Sequence, residues 1–347
     1  MLGWLKRLTG RNANAENTAS LHEVALARRY LALVRSGALR ARYDAAVTTE
    51  DNRRHWAHAD ALSADAAASA DVRRILRNRA RYEVANNSYA RGIVLTLAND
   101  TVGTGPCLQL LTDSEAINRQ VEKEFDLWAQ EVGLAEKLRT MRMARAQDGE
   151  AFAILANNPA LEHPVKLDLR LIEADQVDGI ILDRLGNPVA YRVLKNHPGG
   201  NGWAFSQDFM TIPAADMIHV FRQERPGQHR GVPEITPALP LFAQLRRYTL
   251  AVLSAAETAA DLAGILYTDT PPGAETEDIE PLDTIELERG MLMTMPGGWK
   301  MGQVQAQQPS TTYAEFKKEI LNEIARCLSM PYNVAAGNSS GYNYASG

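Results

Sequence analysis

The sequence predicts an α+β fold on three observations. Helical periodicity dominates up to about residue 147, strand-like runs take over between 151 and 221, and two long helix signals, Pro237 to Leu266 and Thr312 to Met330, follow. The 347 residues are 45% hydrophobic and 23% charged, with 24 Gly and 16 Pro, which excludes disordered, collagenous and disulfide-stapled chains. At roughly 100–200 residues per domain this length predicts two or three modules.

The elements follow in order. Residues 1–20 read as a flexible Asn/Ala-rich arm with a basic start at Lys6, Arg7 and Arg11. Leu21 to Val47 is helical and arginine-laden, and an Ala/Asp-rich stretch, Thr48 to Ala70, follows it. The next helix opens at Asp71 as N-cap, with Val72, Ile75, Leu76 and Tyr82 as its apolar stripe and its arginines on the other faces. Helix continues from Asn86 to Ala98 until Gly103-Thr-Gly-Pro106 breaks it, and another runs from Ser114 to Ala129. Strands are expected at 151–156, 167–172, 188–193 and 217–221, with Asp183 to Pro188 as a hairpin turn.

Thr236-Pro237 then supplies an N-cap and a proline at the first helical position. From there about 30 residues make a rod of roughly 45 Å at 1.5 Å each, stopped by Thr270-Pro-Pro-Gly273. Residues 269–289 are acidic, with Asp269, Glu275, Glu277, Asp278, Glu280, Asp283, Glu286 and Glu288 against Arg289 alone. Short strands are expected at 291–295 and near Trp299. Thr312-Tyr-Ala-Glu315 is a capping box that opens the second long helix, and Met330-Pro331 ends it. The last residues, Gly337 to Gly347, form a polar loop.

Charge is uneven. Residues 1–100 hold 16 Lys and Arg against 10 Asp and Glu, while the remainder holds 21 against 32, for a net charge of −5. Nucleic acid is the natural partner of a basic segment, and a solvated face is the ordinary alternative. Cys107 and Cys327 match no metal or redox spacing, which predicts a reducing compartment. No uncharged apolar run reaches the roughly 18 residues of a membrane span, so no membrane partner is expected.

Motifs for chemistry are scarce. The phosphate-cradling Gly-x-x-x-x-Gly-Lys-Ser/Thr loop and the Gly-x-Ser-x-Gly nucleophile elbow are absent, and Gly103-x-Gly105 lacks its third glycine. His55 and His58 offer two metal ligands without a third. Asp148 and Glu150 flank a glycine before a strand, and with His219 they define one enzymatic alternative, a metal-dependent nuclease. A second alternative is a small DNA-binding adaptor using the helix from Arg73 to Arg81. No cofactor or metal is expected.

The order of several motifs resembles the lambda-type portal proteins of tailed bacteriophages. These are Arg77-Asn-Arg-Ala-Arg-Tyr82 with Gly103-Thr-Gly105, Gln147-Asp-Gly-Glu150, and Ile172-Glu-Ala-Asp175. Further on come Gly186-Asn-Pro-Val-Ala-Tyr191, Ile218-His-Val-Phe221 and Arg225-Pro-Gly-Gln-His-Arg-Gly-Val-Pro233. Met330-Pro-Tyr332 and Tyr342-Asn-Tyr344 close the set.

The resemblance implies a non-enzymatic homododecameric ring at one capsid vertex of a phage or prophage, assembled in the bacterial cytoplasm and resident in the virion. Double-stranded DNA would pass its channel during packaging and ejection. The terminase large subunit, neck (head–tail connector) proteins, scaffold and major capsid protein would be its partners. On this basis 21–235 is the wing, 236–267 and 311–331 are the stem helices, 268–310 is a small α/β clip, and 332–347 begins the tunnel loop. Family members continue into a further helix and a crown, which the sequence to Gly347 does not include. The expected sites are an acidic lower channel (Glu275, Glu277, Asp278, Glu280) and a DNA-facing tunnel loop (Asn338, Ser339, Ser340, Tyr342, Asn343). Arg73, Arg74, Arg77 and Arg81 are expected to point outward, to DNA or scaffold.

Overall fold

The computed structural model describes residues 44–200, 208–261, 265–268, 299–302, 310–340 and 342. The chain divides into two units, Met1–Ala61 and Leu62–Gly347. In the first, a 3-10 turn at Asp44–Ala46 leads into further turns held by Asn52, whose Oδ1 accepts from Thr49 N at 2.8 Å. The expected arm 1–20 and the helix up to Val47 lie almost wholly outside the described residues.

The second unit opens with a short helix α1 (Ala64–Ala67), capped by the Ser63 side chain, followed by α2 (Ala70–Asn86). The N-cap of α2 is Ser69, with Asp71 two residues on, inside the first turn. Its burial inverts the sequence expectation: Val72 and Ile75 are exposed and Arg77 is buried. Asn87 then leaves the helical region (φ −121°, ψ 118°) and its side chain accepts from Tyr89 N and Ala90 N, starting a separate helix α3 (Ser88–Val102). One expected helix is therefore two, because an Asx cap competes with helix continuation.

Helices α4 (Glu115–Glu131) and α5 (Leu134–Gln147) follow, joined at Gly133 in the left-handed region (φ 61°). The sequence expectations lack α5. It packs on several sides, so no clean apolar stripe marks it, and only its Leu, Ala, Glu, Lys, Arg and Met composition carries the signal.

Two three-stranded antiparallel sheets come next. The first is ordered β2-β1-β6, from β1 (Glu150–Asn157), β2 (Leu167–Ile172) and β6 (Met217–Phe221). The second is β3-β4-β5, from β3 (Val177–Leu182), β4 (Pro188–Leu194) and β5 (Phe209–Pro213). The sequence did not mark β3 and β5: each is short, partly exposed, and interrupted by polar residues or Gly.

Central strand β1 is buried on both faces. Ala151 and Ala153 pack with Val132, Leu134 and Met141 of the α4–α5 region, while Phe152 and Ile154 pack with Val177, Tyr191 and Val193 of the second sheet. Period-two alternation along one strand thus builds a helix–sheet–sheet stack.

After a 3-10 turn at Thr236–Ala238 runs α6 (Leu239–Asp261), then β7 (Ile265–Thr268), β8 (Trp299–Gly302), α7 (Ser310–Cys327) and α8 (Tyr332–Ala336). The rod is shorter than expected, since residues 265–268 form a strand paired with β8 rather than a final helical turn. That strand pair draws the backbone hydrogen bonds away from the helix. Helix α7 begins two residues before the expected capping box. The tail is not loop from its start: α8 sets Ala335 in a core with Ala90, Ile93, Phe242, Leu245, Leu321 and Ile324. Among the described residues no helix is long and apolar enough to cross a membrane.

Candidate functional site

The sequence motifs, scattered over 150 residues, converge on one buried charge cluster. Glu150, 1% exposed at the start of β1, is its centre. Its Oε1 accepts from Arg77 Nη2 (3.2 Å) and Arg230 Nη2 (2.7 Å). Its Oε2 accepts from Arg230 Nε (2.9 Å), Gly231 N (3.0 Å) and the His219 ring Nε2 (3.3 Å). Arg77 extends to Asp175 Oδ1 at 2.8 Å, and Arg230 Nη1 donates to Val177 O at 3.1 Å. Arg81 pairs with Asp148 (2.7 Å), Asp175 (2.8 Å) and the more exposed Glu173 (3.2 Å).

Three guanidinium groups thus meet three largely buried carboxylates, Glu150, Asp175 and Asp148, which compensates the charge that burial would otherwise make prohibitive. The cluster clamps α2 and the 225–233 loop to both sheets. Two glycines allow it: Gly149 (φ +90°) and Gly231 cross with their backbones in contact.

The titration behaviour follows from this geometry. Burial pushes Glu150 up, but hydrogen bonds from His219 and Arg230 and the Arg230 charge outweigh it, lowering the carboxyl from 4.5 to about 2. Burial pushes His219 down from 6.5, more than Glu150 raises it. Neutral His219 donates through Nε2 to Glu150 and its Nδ1 accepts from the Tyr191 hydroxyl (3.4 Å), while its ring stacks on Phe152 with centroids 4.2 Å apart. Asp148 is pushed up, burial exceeding the effect of Arg81. Asp175 is held down: burial raises it, and Arg77 and Arg81 more than reverse that.

Both central shifts have the same sign for stability. As pH falls through 6.5 the unfolded chain protonates His219 before the folded one does, and from 4.5 down to about 2 it protonates Glu150 first. Stability contributed by Glu150, on the order of 3 kcal/mol, is expected to disappear across that lower window. Urea midpoints at pH 7, 5 and 3.5 should fall progressively; equal midpoints at pH 7 and 3.5 would refute the assignment.

The expected outward role of Arg77 and Arg81 is corrected. Arg77 is 4% exposed, and Arg81 spans three carboxylates, because the acids of β1 and the 173–175 turn draw both inward. Arg73 is half-buried, and Arg74 is exposed beside Asp71 at 3.1 Å. The nuclease arrangement of Asp148, Glu150 and His219 is not assembled either: every Glu150 oxygen already faces cationic or N–H donors.

Among the described residues, Glu173, Asp175 and His197 bring three ligand atoms within 4.8 Å. Arg81 occupies both of those carboxylates, so a cation there would have to displace a guanidinium. His55 and His58 are exposed.

Asn338, Ser339, Ser340 and Tyr342 are exposed beyond α8, and Asn343 lies outside the described residues. Tyr342 OH accepts from Asn333 Nδ2 of α8, and Ser340 N donates to Asn338 Oδ1 at 2.9 Å. Glu275, Glu277, Asp278 and Glu280 lie outside the described residues, in the segment that β7 and β8 bracket. Arg230, Asp175 and Tyr191 went unassigned by sequence reasoning, although each sits in a motif quoted above. So did Glu234, which accepts from Arg142 and Arg145 at 2.8 Å each and ties the start of the α6 segment to α5.

A curated relative, the "Probable portal protein" of Halomonas phage phiHAP-1, is 28% identical over 309 residues, covering 78% of this chain and 59% of the relative. The chain therefore spans about three-fifths of that protein's length. Among solved structures, a chain of the virion of a native gene transfer agent particle shares 16% identity with a TM-score of 0.50, over 77% of this chain and 72% of that one. A chain from the neck of the empty particle gives 0.51 at 16% identity, over the same shares. These likenesses are of fold. Residues 50–347 match the sequence profile of the "Phage portal protein, lambda family", and the chain belongs to that family.

Proposed function

We propose that this chain is a structural subunit, not a catalyst, of a ring at the unique vertex of a phage or prophage capsid. DNA passes through the ring during packaging and ejection. The single observation that carries this is the family match across residues 50–347. It is supported by the charge cluster, which uses for internal clamping the carboxylates an enzyme would need free. The neck structure among its fold relatives was computed with C6 symmetry, which supports a cyclic assembly, and a dodecamer is the expected form. The virion is then its location after assembly in the bacterial cytoplasm. The terminase large subunit, neck proteins, scaffold and major capsid protein are its proposed partners.

In this reading α6 and α7 are the stem. Tyr248 stacks against Tyr313 with centroids 5.6 Å apart, and β7 pairs antiparallel with β8, the two strands flanking in sequence the acidic segment, the proposed clip. A translocation channel must not grip DNA, since each phosphate neutralised by Lys or Arg adds affinity. Acids at Glu275, Glu277, Asp278 and Glu280, and small polar residues at 338–340, meet that requirement.

Negative-stain electron microscopy of the purified protein tests the ring: annular particles with a central hole are expected, and isolated monomers at high protein concentration would overturn it. Reversing the four clip acids to lysine should slow DNA packaging in vitro, and an unchanged rate would remove their channel role.

A further inference from the structure

Two helices of the second unit each leave a mixed apolar and polar stripe at coiled-coil spacing facing solvent. On α2, positions 72, 75, 79, 82 and 86, spaced 3-4-3-4, are Val72, Ile75, Arg79, Tyr82 and Asn86, and all five are exposed. On α4, positions 117, 120, 124, 127 and 131 repeat that spacing as Ile117, Gln120, Glu124, Leu127 and Glu131, again all exposed. Ile117 is 58% exposed, Tyr82 56% and Leu127 45%, values that a seam buried within this chain would not show. Each seam runs about 21 Å at 1.5 Å per residue.

The two seams are opposite in charge at their midpoints. Arg79 is central on α2, and Arg246 of α6 lies over the Tyr82 ring at 6.0 Å. Glu124 is central on α4, one turn from Val121, with its Oε2 3.3 Å from His163 Nε2, while Glu131 at the end of the stripe accepts from His163 N at 2.9 Å. A polar residue inside an apolar seam selects partner and register, because mispairing buries an unmatched charge. Pairing α2 with the α2 of another copy would oppose Arg79 to Arg79, and pairing α4 with α4 would oppose Glu124 to Glu124. Pairing α2 with α4 in parallel opposes Arg79 to Glu124, since each is the third of five positions. Like-charge juxtaposition disfavours the two-fold contacts, so the charge pattern selects a head-to-tail one.

We propose that the α2 seam of one subunit docks on the α4 seam of the next, forming a heterologous contact that propagates around the ring. This rests on the ring reading above, and supplies for it the two faces that meet.

Charge reversal tests it in the full-length chain, with ring fraction read by electron microscopy and native mass measurement. Arg79→Glu and Glu124→Arg should each lower the ring fraction at least about tenfold, with unchanged far-ultraviolet circular dichroism because both positions are exposed. The double variant R79E/E124R should recover the wild-type ring fraction. So should an equimolar mixture of the two single variants, since each then offers the face the other lacks. Rings from wild type and from both single variants would overturn the docking while leaving the ring reading intact. Loss in the single variants without rescue by double variant or mixture would also overturn it. Absence of rings from the wild-type protein would overturn both.

Discussion

Replacing Gly231 by alanine is expected to lower the melting temperature by about 2–12 °C, at roughly 2–4 °C per kcal/mol for a large domain. An added Cβ would lie 2.0 Å from the carbonyl oxygen of Gly149, 2.6 Å from its carbon and 2.9 Å from Phe221 Cβ. The first two are backbone atoms of the bend that leads into β1 and cannot rotate aside. Overpacking of this kind costs about 1–3 kcal/mol or more. The displacement also pulls Gly231 N from Glu150 Oε2, now 3.0 Å away. Gly227 is the internal control: its φ of +74° disfavours alanine, but nothing lies within 4 Å of its Cβ position. Gly227→Ala should therefore cost only the backbone strain of about 1–2 kcal/mol. Equal melting shifts for the two variants would show that backbone conformation, not the crossing, sets the requirement for glycine.

Glu150→Gln is expected to destabilise nearly as much as Glu150→Ala, by about 3–5 kcal/mol. The amide keeps the carboxylate's shape, so a packing argument predicts little change. Yet both oxygens of Glu150 face only donors: Arg77 and Arg230 at Oε1, Arg230, His219 and Gly231 at Oε2. Whichever side the amide nitrogen takes, an N–H opposes an N–H, and the buried guanidinium groups lose their counter-charge. Differential scanning calorimetry decides it: a Gln variant melting within 2 °C of wild type, a margin about the size of a 1 kcal/mol effect, would refute the charge-clamp account. The acid dependence of stability below pH 4.5 should also become shallower in both variants, because Glu150 no longer titrates there while Asp175 still does.

Residues near in sequence were well served by local rules. Strands β2 and β6 begin and end where alternation placed them, 167–172 and 217–221, because a strand's two faces write a period of two into the chain. The start of α6 was legible only in part: Pro237 fixes a first turn, but that turn is 3-10 with Ile235 at its N-cap, Thr236 caps nothing, and the α-helix begins at Leu239. Helix α5 was not legible. Packed against helix and sheet together, it shows no single apolar stripe, and Met141 and Ala146 are buried beside arginines that reach Glu234.

The α2 helix shows most clearly where local reasoning fails. By periodicity Val72 and Ile75 belong inside and Arg77 outside, and the fold reverses this, because the partners that make a buried arginine affordable lie 71 to 98 residues away.

The sequence by itself determined the α+β class, the places of most strands, the two late helices and, through motifs shared in order, the family. Each of these depends on side chains within a few residues of one another or on linear order alone. Only the tertiary structure decided that Arg77, Glu150, Asp175, His219 and Arg230 form one cluster, and that Gly149 must pass Gly231. It also decided which faces of α2 and α4 stay uncovered. A charge pair or a backbone crossing is a relation between distant segments, and its energy exists only once the chain has brought them together.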